Sequence, residues 1–199
     1  MYPRDVVGDA DRDHVAQFVA ALQAEPWRSL RERRAFARPD GQDGALVHDF
    51  QGIRIDARDW PLLIMEMPEG PVGDDAVRAA LAHLERVMEE TPPGSRFFQL
   101  TDLSRMARFA PASQRRYASE WTRRTDGLAA RTRLGGVVVA PSPMLRAILT
   151  AVAWSKGGKS PSHVVSTREH GVIYAIQALE IAHPPLTPHL VTLRDSIKP

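Results

Sequence analysis

The spacing of hydrophobic positions predicts alternating strands and helices through the middle of the chain. An apolar run at 62–67 precedes a segment at about 74–90 in which apolar residues recur every three or four positions. The same order returns three times, as strand 96–102 with helix 112–126, strand 134–140 with helix 143–154, and strand 163–166 with a helix ending near 182. Four β-α units in succession predict an α/β fold with a mostly parallel sheet of four to six strands.

The segments around these units differ in character. Apolar and polar residues alternate over 46–50 and over 53–55, which predicts a hairpin before the first unit. Three prolines, at 184, 185 and 188, predict a non-helical tail with a short edge strand at 190–193. The predicted organisation is a helical, basic extension at 1–44, an α/β domain at 45–182 and a proline-rich tail at 183–199.

The amino-acid composition excludes several kinds of site and segment in this protein. Its 199 residues contain no cysteine, which excludes disulfides, thiolate chemistry and cysteine-based zinc sites. No apolar run reaches the length of a membrane span, and the first residues lack the apolar core of a signal peptide. We therefore expect a cytoplasmic protein without a transmembrane segment.

Charge is unevenly distributed, although the formal net charge is only +2. Residues 66–90 contain seven acids and two arginines, whereas residues 105–133 contain eight arginines and two acids. Such asymmetry predicts a dipolar surface that steers an acidic protein partner, or an arginine-rich helix face that is only solvated. No nucleic-acid motif accompanies the arginines. The candidate partner-binding residues are Arg105, Arg108, Arg115, Arg116 and Arg123.

Three local patterns stand at the same place in successive units. They are Asp102-Leu103-Ser104 after the second parallel strand, Val138-Val139-Ala140-Pro141-Ser142-Pro143 before the third helix, and the capping-box pattern Ser166-Thr167-Arg168-Glu169 before the last. In this order they resemble the STAS or SpoIIAA-like domains over roughly 45–182. The resemblance implies a STAS-like α/β fold and a regulatory binding role instead of catalysis.

The resemblance also implies a switch residue. In phosphoswitch members of that family, a partner kinase phosphorylates a serine near the start of the helix after this strand, and Ser113 is the nearest match, with Ser104 the second candidate. A phosphate on Ser113 would lie at a helix N-terminus close to Arg115 and Arg116, where its charge is stabilised. The alternative is that Ser113 or Ser104 is an ordinary N-cap.

Enzymatic chemistry finds little support in the sequence. Asp102 ends a strand, where it either orients a ligand or braces its own turn, and no second carboxylate has the spacing of an acid/base partner. The seven histidines have no metal-ligand spacing, and Lys156-Gly157-Gly158-Lys159-Ser160 follows a helix instead of the strand that a phosphate loop requires. We predict no catalytic residue, no metal and no cofactor.

Helix 143–154 is apolar almost all round, so something besides the sheet should cover it. Two functional hypotheses follow. The first is a regulatory or scaffold protein that binds a partner through residues 104–124 and forms a homodimer through this helix. The second is a carrier or sensor of a small hydrophobic ligand bound beside the same helix. The residues proposed for that pocket or for self-association are Leu145, Ile148, Leu149, Val152 and Trp154.

Overall fold

The computed structural model describes residues 46–106, 110–155, 162–182 and 186–197. The strands in these ranges are β1 (Val47–Phe50), β2 (Ile53–Asp56), β3 (Leu62–Glu66), β4 (Phe97–Asp102), β5 (Arg133–Val139) and β6 (Ser162–Val165). The helices are α1 (Asp74–Glu90), α2 (Ala112–Thr132), α3 (Pro143–Ser155), α4 (Arg168–Ala182) and α5 (Pro188–Ile197). The predicted α/β fold is confirmed, while the predictions for residues 1–44 and for Arg108 lie outside the described residues.

All six strands form one sheet in the order of the chain. β1, β2 and β3 pair antiparallel, and β3 to β6 pair parallel, so the predicted hairpin and the mostly parallel sheet are both confirmed. The hairpin turns at Gln51 and Gly52, whose φ angles are 53° and 96°. Two successive positive φ angles are typical of the turns whose twist matches that of the paired strands.

The parallel strands β3, β4 and β5 have buried residues on both faces, which explains their nearly continuous apolar sequence. Along β3 and β4, alternate residues point to opposite sides of the sheet. Leu62, Phe98 and Leu100 join a core with α4 and α5. Leu63 and Phe97 join a second core with α1 and α2.

Helix α2 is longer than predicted, ending at Thr132 instead of near residue 126. Gly127 does not stop it, because apolar packing continues beyond the glycine: Ala129 is buried and Leu128 packs against the same core. Tertiary contacts thus outweigh the low helix propensity of one glycine, which costs about 1 kcal/mol.

The predicted non-helical tail with an edge strand at 190–193 is wrong for the described residues, which form α5. Pro188 is the first residue of that helix, where a missing N–H removes no helical hydrogen bond. Leu190 is buried, and Leu193 and Ile197 pack against the same core at helical spacing. The prolines start this helix instead of preventing it.

No helix in the described ranges is long and apolar enough to cross a membrane.

Candidate functional site

The exposed side of α2 carries three of the predicted arginines. Its buried positions are Gln114, Trp121, Thr125, Ala129 and Thr132, which define the side facing the core. Opposite them, Arg115, Arg116, Ser119 and Arg123 are exposed. We call these four residues the arginine face. Arg116 and Arg123 are seven positions apart, which separates them by about 10 Å along the helix axis.

The arginine face is held in place by contacts at its flank. Trp121 is buried and donates from Nε1 to Glu85 Oε2 of α1 at 3.2 Å. Arg124 binds the same carboxylate, with Nη2 2.6 Å from Oε2. These bonds fix the rotation of α2 against α1 and point the remaining arginines toward solvent. Trp121 is therefore an anchor of α2 in the core.

Arg124 differs from the predicted binding residues in having a counter-ion. Arg105, Arg115, Arg116 and Arg123 are all exposed, and none lies within 4.0 Å of a carboxylate in the part of the chain that the structure describes. Arg115 donates to the carbonyl oxygen of Ala110 at 2.8 Å. These guanidinium groups keep their capacity for a carboxylate, which each can bind through two parallel hydrogen bonds.

Asp102 closes the turn that leads toward α2. One of its carboxylate oxygens, Oδ1, accepts the Ser104 N–H at 2.9 Å, and the other, Oδ2, accepts from Arg168 at 3.1 Å. The side chain is almost fully buried. Asp102 therefore braces its own turn, one of the two roles that the sequence left open.

Arg168 bridges two strands of the sheet. Its guanidinium binds Asp102 of β4 and also Glu66 of β3, residues that lie side by side in the parallel register. Burial of Arg168 opposes its charge, but hydrogen bonding and attraction from Glu66, with a smaller contribution from Asp102, outweigh this and raise its pKa. Sequence reasoning missed this arginine, because its partners are 102 and 66 positions away and leave no local pattern.

The start of α4 also differs by one residue from the predicted capping box. Thr167, not Ser166, accepts a hydrogen bond from the helix, at 3.2 Å from the His170 N–H. The helix consequently begins at Arg168, which places that side chain at the carboxyl ends of β3 and β4.

The two candidate switch serines do not cap α2. The N-cap residue is Pro111 and no side chain makes the capping hydrogen bond, so the alternative that Ser113 or Ser104 is an N-cap is wrong. Ser113 is exposed in the first turn and lines a small pocket with Asp74 and Arg78 of α1. A phosphate there would meet a carboxylate as well as a guanidinium. The phosphoswitch stays a prediction.

Helix α3 presents part of its apolar surface to solvent. Met144 is 67% exposed and Ile148 40%, while Leu145 and Leu149 are half-buried. The side chains of Val152 and Trp154 lie outside the described residues. Helix α3 packs beside β6, the strand at the edge of the sheet.

Among the residues that the structure describes, no group of three histidine, aspartate or glutamate side chains is placed to hold a metal ion.

Comparison of the chain with protein-family models, with curated proteins and with solved structures gave no match.

Proposed function

We propose that this protein is a non-enzymatic regulatory or scaffold module, of the STAS-like type that its sequence resembles, and that it binds a protein with an acidic surface through residues 104–124. The observation that carries this proposal is the arginine face: exposed guanidinium groups on a rigid helix, without counter-ions in the described chain. Isolated cations of this kind favour encounter with an acidic partner and fix its orientation.

The residues around Asp102 support binding over catalysis. The Asp102 side chain is almost fully buried, and its two carboxylate oxygens accept hydrogen bonds from Ser104 and Arg168, which is a structural role within its own turn. The strands also follow one another in chain order, from β3 to β6, without the reversal that creates a ligand crevice in open α/β sheets.

Charge reversal on the arginine face tests the proposal. We expect Arg115→Glu, Arg116→Glu and Arg123→Glu together to reduce capture of the native partner by about tenfold or more, because like charges would then face each other. The partner is first captured from the native cell with the wild-type protein and identified by mass spectrometry. Its affinity for each variant is then measured with purified components.

Two controls isolate the role of charge at these positions. Replacing the same three arginines by lysine keeps the charge but removes the paired hydrogen bonds of the guanidinium groups, so the affinity should fall by less than in the triple glutamate variant. Arg131→Glu reverses an exposed arginine on the same helix, outside 104–124, and should leave the affinity within about twofold. All variants should melt as the wild type does, since surface substitutions change stability by only about 0.5 kcal/mol. Undiminished binding by the triple glutamate variant would refute the proposal.

The exposure of Met144 and Ile148 favours a cover on α3, which is either a second copy of the chain, as in the first hypothesis, or a small hydrophobic ligand, which would make the protein a carrier or sensor. For self-association, we expect light scattering to give a mass near two chains for the wild type and one chain for Ile148→Asp. For a carrier, native mass spectrometry of the purified protein should show a co-purified ligand. A single-chain mass removes the dimer, and a spectrum without ligand removes the carrier.

A further inference from the structure

Two histidines meet in the contact between the hairpin and α1. His48 of β1 and His83 of α1 have ring centroids 4.2 Å apart, and Phe50 lies 5.4 Å from His83. His83 is only 5% exposed. The Nε2 atom of His48 is buried and has no hydrogen-bond partner among the described residues. The ring of His83 is therefore nearly shielded from water, which opposes a positive charge on it.

The charged groups around His83 do not stabilise its protonated form. Burial, with smaller contributions from the neighbouring His48 and Arg86, lowers the pKa of His83 to about 4. The other elements that share a core with α1 are β2, β3, β4 and α2, and the core residues of β3 and β4 on this side, Leu63 and Phe97, are apolar. Arg54 of β2 is paired with Asp56, and Arg124 of α2 is paired with Glu85. No carboxylate contributes to holding His83 in its charged form.

We propose that the His48–His83 contact is an acid-sensitive latch, which holds the β1–β2 hairpin against α1 while the His83 imidazole is neutral and releases it when His83 takes up a proton from solvent. This device is independent of the arginine face.

The direction of the pH effect follows from the depressed pKa. His83 binds a proton more readily when the latch is open, where its pKa returns to about 6.5. The closed state is fully favoured above that value and loses its advantage as pH falls toward 4. Between pH 7.5 and pH 5.0, the linkage relation gives a loss of about 30-fold in the closing equilibrium.

Hydrogen exchange on the full chain, corrected for intrinsic rates, tests the latch. In the wild type we expect the protection of residues 46–56 to fall by about 30-fold between pH 7.5 and pH 5.0. At both pH values this protection should stay below that of the central strand β4, which requires opening of the hairpin alone. His83→Phe keeps a buried aromatic ring and should reduce the fall to less than about threefold.

The matched control is His170→Phe, which removes a half-buried histidine from the first turn of α4 and should leave the wild-type response intact. An equal fall in protection in wild type and His83→Phe would overturn the latch. Exchange of residues 46–56 at the same rate as β4 would also overturn it, because the hairpin would then not open alone. NMR titration of the wild-type imidazoles decides the matter if His83→Phe fails to fold. A His83 resonance that titrates near pH 6.5 refutes the proposal, and one that titrates well below that value supports it.

Discussion

Gly171→Leu is expected to lower the free energy of unfolding by about 3 kcal/mol. Helix α4 crosses the sheet so closely at this glycine that an added Cβ would lie 2.9 Å from Val139 Cγ2 and 3.3 Å from Leu100 Cδ1. Val139 and Leu100 are fully buried, so neither can turn away without disturbing its own packing. Chemical denaturation of the purified variant measures the loss.

A second helical glycine provides the control for this substitution. Gly127 of α2 is exposed, and an added Cβ there would have no atom within 4 Å. Gly127→Leu should therefore raise the free energy of unfolding by about 0.5–1 kcal/mol, because leucine has the higher helix propensity. If the free energy of unfolding falls at Gly171 and rises at Gly127, the destabilisation comes from the contact of α4 with the sheet. A stabilising Gly171→Leu would contradict that close packing.

Asp102→Ala is expected to lower the free energy of unfolding by about 2–3 kcal/mol. The substitution removes the acceptor for the Ser104 N–H and one of the two carboxylates that bind Arg168. The larger part of the loss should come from Arg168, because that bond is charge-assisted and its acceptor is almost fully buried. Thermal or denaturant unfolding measures the total.

Asp102→Asn separates the two hydrogen bonds. The amide oxygen can still accept from Ser104, but the attraction to Arg168 is lost, so we expect a cost of about 1–2 kcal/mol. Combining Asp102→Asn with Arg168→Gln in a double-mutant cycle should give a coupling energy of about 1 kcal/mol or more. Additive effects would show that the bridge between β3 and β4 contributes nothing to stability.

Local sequence patterns predicted most of the sheet and four of the helices. Strands β3, β4 and β5 were predicted correctly, because residues buried on both faces leave an uninterrupted apolar run, as in Leu62 to Ile64. Helix α1 was predicted at its observed bounds, since Ala80, Leu84 and Val87 recur at helical spacing on its buried side. The exposed arginines were also identified, because eight arginines against two acids over 105–133 form a local imbalance of charge.

Other features depended on distant contacts. The prolines near the end of the chain predicted a non-helical tail, but the burial of Leu190 against the α4 side of the sheet makes 188–197 a helix. The bridge from Arg168 to Glu66 and Asp102 joins three separate elements. No periodicity relates these residues, so only the strand register and the first residue of α4 bring them together.

The sequence by itself determined the α/β alternation, the two-sided burial of β3, β4 and β5 and the arginines of α2, because hydrophobic spacing and charge act over a few neighbouring residues. The tertiary structure alone decided which charges are neutralised and which remain available. Arg124 and Arg123 are adjacent in sequence, yet one is bound to Glu85 and the other is exposed on the arginine face. Likewise His48 and His83 are unremarkable in the chain and meet only when the hairpin folds onto α1, because burial and contact depend on how distant elements pack.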